Sequence, residues 1–185
     1  MSNLVPLFVI LPLAAAFLIP IFGRIIPVFQ KSILSLALLF LTILAVRFLI
    51  QGTENLVAYQ VGGWSSENGI PIAIYLVLDG LSVLLLLIIN LIGLLATLYS
   101  ISYIQRFTAQ NNFYALLALM IAGMNGVVLT GDMFNLYVFL EIAVIASYAL
   151  VAFGIEKTEL EASFKYQVLG GMASLLILLG IGLLY

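Results

Sequence analysis

Cysteine and histidine are both missing from this chain. Their absence excludes disulfides and thiol chemistry, and with them the ligand sets that usually hold zinc, haem or iron–sulfur clusters. Any redox centre coupled to the chain must therefore sit in a partner; no cofactor and no catalytic centre are expected within it. Charge is almost as scarce, at 8% of 185 residues, where a soluble domain carries about a quarter. A net charge of −2 on so few groups leaves no basic patch for nucleic acid and no acidic tail. Hydrophobic residues fill the remainder, at 65% of the chain. No water-soluble domain of this size buries that much apolar surface. The composition is that of an integral membrane protein.

Six apolar segments stand out, at about residues 4–22, 32–50, 78–103, 113–130, 133–153 and 161–185. Each is long enough to cross a hydrocarbon core of ~30 Å at ~1.5 Å per residue. The expected architecture is all-α, a polytopic membrane protein of about six transmembrane helices forming a single domain over 1–185. Met1-Ser2-Asn3 lacks the basic residues of a signal peptide, so the first run reads as a retained helix that ends at Gly23-Arg24 and Pro27. The polar stretch 51–69, with Glu54, Tyr59, Gly62-Gly63-Trp64 and Glu67, suits an ordered loop at the aromatic interface. A short hairpin is expected within 56–61, and the β-branched residues 70–77 read as a lead-in to the third helix. Gly131-Asp132 forms the whole connection between the fourth and fifth helices. So short a link joins only antiparallel neighbours, with Asp132 as N-cap. Asp79 in the first turn of the third helix is explained by the helix dipole. The stretch 154–160 carries Glu156, Lys157 and Glu159 and belongs in water.

The basic residues set the orientation. Arg24, Lys31, Arg106, Lys157 and Lys165 all fall on one side if six helices alternate. Arg47 lies near the other side, close enough to its helix end to snorkel to the interface. The positive-inside rule then puts the N-terminus outside.

Glu141 is the residue that asks for a function. It is a lone carboxylate near the middle of the uncharged run 133–153, and an acid at membrane depth is expensive to keep. Burial favours its neutral form and an opposing cation favours the carboxylate, so a group held between the two can load and release a proton. Tyr137 and Ile145 share its face by helical spacing, and Ser147 and Tyr148 lie one or two turns further in. The other reading is a neutral acid hydrogen-bonded to a neighbouring helix. Lys165 is the candidate cation, one turn into the sixth helix, but Glu161 at i−4 is an equally good partner for it. Direct contact between Lys165 and Glu141 is not expected; a water chain would have to bridge them. Asn90 and Asn125 can hydrate a channel or bond across helices, and the second reading is favoured. Gly123/Gly126 and Gly170-Gly171 with Ala173-Ser174 permit close helix packing.

The stretch Thr130-Gly131-Asp132-Met133-Phe134-Asn135-Leu136-Tyr137-Val138-Phe139-Leu140-Glu141-Ile142, continued by Ala146-Ser147-Tyr148-Ala149-Leu150, resembles the fifth-helix signature of the proton-translocating antiporter-like family. That family includes the D-type subunit of multisubunit Mrp sodium/proton antiporters and related membrane-arm subunits of complex I and of membrane-bound hydrogenases. Gly62-Gly63-Trp64, Asp79-Gly80-Leu81-Ser82, Glu161-Ala162-Ser163-Phe164-Lys165-Tyr166 and Gly180-Ile181-Gly182-Leu183-Leu184-Tyr185 are similar in the same order. The spelling is nearest to the D-type subunit of the Mrp branch. The resemblance implies that Glu141 occupies the family's essential glutamate position and that Lys165 matches the lysine of its Lys-Tyr pair. It also implies a prokaryotic cell membrane and a multisubunit complex as partner. Family members have about fourteen helices in two inverted repeats, and the lysine that partners the glutamate is on the seventh helix. This chain has no counterpart of it, so another membrane subunit is expected to supply the remaining helices and an intramembrane lysine. A split gene, a shortened paralogue and a stretch of a longer protein are the three explanations, and the stop at a helix end favours the first two. The expected function is a membrane subunit contributing a protonatable glutamate to a proton or sodium path. Its rival is a non-catalytic subunit packed between pumping modules.

Overall fold

The computed structural model describes residues 2–23, 25, 28–52, 57–61, 74–107 and 109–184. Arg24, Pro27, Glu54, Gly62-Gly63-Trp64, Glu67, Tyr185 and the side chain of Arg106 lie outside the described residues. Along the chain run α1 (Leu7–Phe22), α2 (Phe29–Gln51), β1 (Val57–Val61), β2 (Ile74–Leu78), α3 (Gly80–Tyr103), α4 (Gln110–Leu129), α5 (Met133–Val151) and α6 (Lys157–Leu184). Five of the helices are long and apolar enough to cross a membrane, and α1 is a shorter apolar helix. The chain is an all-α polytopic membrane protein with one added β-hairpin.

Side-chain caps decide where several helices start. The Asp79 carboxylate accepts from the Ser82 amide at 2.7 Å, so α3 begins at Gly80 and Leu78 belongs to β2. Asp132 does the same for α5, accepting from the Asn135 amide at 2.8 Å. α6 begins at Lys157, not at 161, because Glu159 in its first turn reaches back to the Glu156 amide at 3.3 Å. Most of the acidic run expected in the loop is therefore helix, where it faces the positive end of the dipole. Lys165 accordingly lies about two turns into α6 instead of one.

The bonds from Ser82, its amide first, hold the Asp79 carboxyl below its ordinary value of 3.8. A depressed folded-state value means that the stabilisation is complete above the unfolded value, about 3.9. It is lost as pH falls through the lower folded value. Asp79→Asn keeps a cap without a titrating group. Its unfolding midpoint is expected to fall below that of the parent at pH 7, and the gap to narrow only as pH drops below the unfolded value, as read by thermal melts of the solubilised protein.

β1 and β2 pair antiparallel, from Val57 with Leu78 to Val61 with Ile74. The partner of 57–61 is thus 74–78, the stretch expected to lead into α3, and not a strand within 56–61. Leu76 and Leu78 alternate inward and are buried, which pins the register against the end of the bundle. Leu76 also bridges to Thr130, and the Gly131 amide donates to the Tyr75 carbonyl at 2.9 Å. The hairpin thereby ties down the turn between α4 and α5.

α1, α2, α3 and α4 enclose two apolar clusters. One gathers Phe8, Leu41, Leu44, Leu78, Leu86 and Leu129; the other gathers Ile19, Leu34, Leu38, Tyr114 and Ile121. Where they meet along α3 and α4, Asn90 and Asn125 are fully buried and bond to each other in both directions, at 3.1 and 3.2 Å. Asn90 also donates to the Leu86 carbonyl, and Asn125 to the Phe8 carbonyl at 2.8 Å. The last bond has a cause in the chain. The residue four beyond Phe8 is Pro12, which has no N–H to give. Asn125 supplies the missing donor, so the amide pair is a cross-helix clamp and not a channel lining.

α5 lies against α4 across two glycines. A Cβ at Gly123 would meet the Ala143 nitrogen at 2.6 Å and the Phe139 carbonyl at 2.8 Å. Both are backbone atoms that cannot turn aside. Gly123→Ala is therefore expected to push α5 off α4 at a cost of about 1–3 kcal/mol, measurable as a lower unfolding midpoint in detergent. α6 contacts the rest chiefly through α5, and its only buried residues are Ser174 and Ile181.

Candidate functional site

The side of α5 that carries Glu141 follows from the glycine contacts. Phe139 and Ala143, two residues to either side of Glu141, face α4. At ~100° per residue this turns Glu141 to the opposite side of the helix, away from the apolar clusters and towards α6. Its carboxylate accepts a hydrogen bond from the Ser174 hydroxyl of α6. Glu141 is only partly buried, because α6 covers one flank of that face and nothing among the described residues covers the other.

An open groove of about 450 Å³ runs between the two helices, lined by Glu141, Ile145, Tyr148 and Ala149 of α5 and by Ser163, Gln167 and Gly171 of α6. Polar atoms recur along it from Glu141 towards the α5–α6 connection. The Ser163 hydroxyl donates to the Tyr148 carbonyl at 2.8 Å. The Tyr148 ring meets the Tyr166 ring edge-on, with centroids 4.6 Å apart. The Tyr148 hydroxyl is seated on Gly170, where any side chain would collide with it.

The residues expected near Glu141 divide. Ile145 and Tyr148 line the groove with it. Tyr137 does not line it, and Ser147 turns back to the Val144 carbonyl at 2.7 Å. Lys165 pairs with Glu161 at 2.6 Å, with both side chains more than half exposed. An exposed i,i+4 pair of this kind is worth ~0.5 kcal/mol or less. Lys165 also sits ~200° around α6 from Ser163, on the face turned away from α5. Glu141 and Lys165 are not brought together.

Ser174, Gln167 and Ser163 form the half of the site that reading for charged residues misses. Their signal was present all the same. Ser163, Gln167, Gly170 and Ser174 recur at helical spacing in an otherwise bulky apolar helix, which marks one small and polar stripe. Among the described residues no three acidic side chains converge to hold a metal ion.

Two family models match the chain. One, described as NADH-ubiquinone oxidoreductase (complex I), chain 5 N-terminus, covers residues 64–114. The other, described as NADH:quinone oxidoreductase/Mrp antiporter, TM, covers residues 130–185 and so includes all of α5 and the groove. This chain belongs to the proton-translocating antiporter-like family. Among family members, the D-type subunit of the Na(+)/H(+) antiporter of Bacillus subtilis is 36% identical over 186 residues, covering 96% of this chain and 36% of that protein. The N-type subunit of the NADH-quinone oxidoreductase of Desulforudis audaxviator is 38% identical over 192 residues, covering 100% of this chain and 36% of that protein. A chain of the membrane-bound sulfane sulfur reductase, an archaeal respiratory membrane complex, superposes with a TM-score of 0.86 at 32% identity, covering 100% of this chain and 37% of that one. The chain thus spans about a third of the length of the antiporter-like proteins it matches. Similarity to the antiporter and oxidoreductase branches is nearly equal.

Proposed function

We propose that this chain is an ion-translocating membrane subunit of a multisubunit complex of the Mrp antiporter or the hydrogenase and complex I type. Glu141 is its protonatable group. The observation that carries this reading is a carboxylate turned away from the apolar bundle into a polar groove and closed on one flank only. The uncovered flank is where further antiporter helices, from another subunit or another part of the same protein, bring an intramembrane lysine towards Glu141. A proton or sodium ion compensates the Glu141 charge, and the approach or retreat of that lysine loads and releases it. Lys165, on the outer face of α6, enters this scheme as a charge at the edge of the same path and not as the partner of Glu141. The N-terminus lies outside, so the α5–α6 connection faces the cytoplasm of a prokaryotic cell, as Lys31 and Lys157 favour. The six helices act as one domain.

One observation favours a second reading. The Ser174 bond satisfies Glu141 within the chain, as expected for a neutral acid in a structural subunit. Glu141→Gln in the assembled complex separates the two. Loss of transport with intact assembly supports the first reading, and wild-type transport leaves only the second.

A further inference from the structure

The Tyr148 hydroxyl has no role in the transport scheme, yet it is the least explained polar atom of the site. Tyr148 is 8% exposed, and its hydroxyl is buried without a hydrogen-bond partner among the described residues. Such a group costs free energy unless something intermittently satisfies it. Its ring forms part of the groove wall, two turns from Glu141 on the same face of α5. Gln167 lines the groove from α6, and Ser163 follows one turn nearer the α5–α6 connection. The hydroxyl packs against Gly170, where only a glycine leaves it room, and Gly171 lines the groove beside it. A groove of about 450 Å³ with several polar groups has room for water.

The geometry points to Tyr148 as a relay hydroxyl between Glu141 and the α5–α6 end of the molecule, with Gln167 ordering water on its far side. The half-path that feeds Glu141 from that end then runs along the α5–α6 seam of this chain and not only through its neighbours. Each transfer balances. An excess proton carried by water on the Gln167 side passes to the hydroxyl oxygen as the hydroxyl gives its own proton to water beside Glu141, and that water hands the proton to the Glu141 carboxylate. The hydroxyl then rotates back, and the tyrosine stays neutral throughout. This inference rests on the proposed role of Glu141.

The test uses the intact complex in sealed vesicles. Tyr148→Phe keeps the ring against Tyr166 and removes only the hydroxyl. Proton-coupled transport is expected to fall about tenfold or more, with normal assembly. The absence of cysteine from this chain allows a second measurement. Gln167→Cys is expected to react with a membrane-impermeant methanethiosulfonate reagent added on the α5–α6 connection side, read on this chain's gel band. The reaction should be at least about tenfold faster than for Leu169→Cys on the outer face, since the reagent needs a water-exposed thiolate. Wild-type transport in Tyr148→Phe, or equal labelling of the two cysteines, overturns the relay. Glu141→Gln in the same vesicles separates the two failures. If it is inactive while Tyr148→Phe is normal, only the relay falls; if it transports normally, the role of Glu141 falls as well.

Discussion

Glutamine at position 141 is expected to abolish ion transport while leaving the amount of assembled complex unchanged. Glutamine has the shape of glutamic acid, and its carbonyl can still accept from the Ser174 hydroxyl, so the α5–α6 contact survives. What it lacks is the exchangeable carboxyl proton and the negative charge that an approaching lysine would answer. A group that carries the transported proton is worth at least about 100-fold in rate. Glu141→Asp keeps the charge but withdraws it from Ser174, and an intermediate rate follows. Ser174→Ala leaves the carboxyl in place without its donor and is expected to slow transport a few-fold. The measurement is the pH change inside vesicles after a cation or energy pulse, scored against the amount of complex on a native gel. A normal rate in Glu141→Gln would sink the transport reading and leave a hydrogen-bonded structural acid.

A large loss of stability is expected from Asn125→Leu. The substitution removes three bonds together, namely the two shared with Asn90 and the one to the Phe8 carbonyl. In most helices a freed carbonyl would fall back on the amide four residues on, but here that residue is Pro12. The Phe8 carbonyl and the Asn90 side-chain oxygen are left without their donor in the core, while the Asn90 amide keeps its bond to the Leu86 carbonyl. The cost is about 2 kcal/mol, at the upper end of what polar contacts contribute between membrane helices. Pro12→Ala supplies the test of cause. It returns an N–H to Phe8 and should therefore stabilise the Asn125→Leu protein by about 1 kcal/mol more than it stabilises the parent. Denaturing-detergent titrations of the four proteins give that difference directly. Equal effects of Pro12→Ala in both backgrounds would remove proline from the explanation of Asn125.

Much of this molecule was legible one residue at a time. The spans follow from hydropathy, a local property that needs no partner. Asp132 announces a cap, and Glu141 announces itself by the cost of an acid in an apolar run. Helix starts were less legible, because a cap such as Glu156 with Glu159 is written in the same charged residues as a loop. The strand partner of 57–61 was missed because β-branched residues before a helix read equally well as its lead-in. The site was half read. Glu141 and Tyr148 stand out on α5, whereas Ser174 reads only as a packing residue and Gln167 does not stand out until α5 is laid beside α6.

The amino-acid order by itself determined that this stretch lives in a membrane, where its apolar helices lie, and which carboxylate is out of place there. It could not determine which way that carboxylate faces, because α5 is apolar all round and carries no stripe to orient it. Only the tertiary structure decided that. Gly123 and Gly126 admit Phe139 and Ala143 to α4, and a helix that commits one side to its neighbour turns Glu141 to the other.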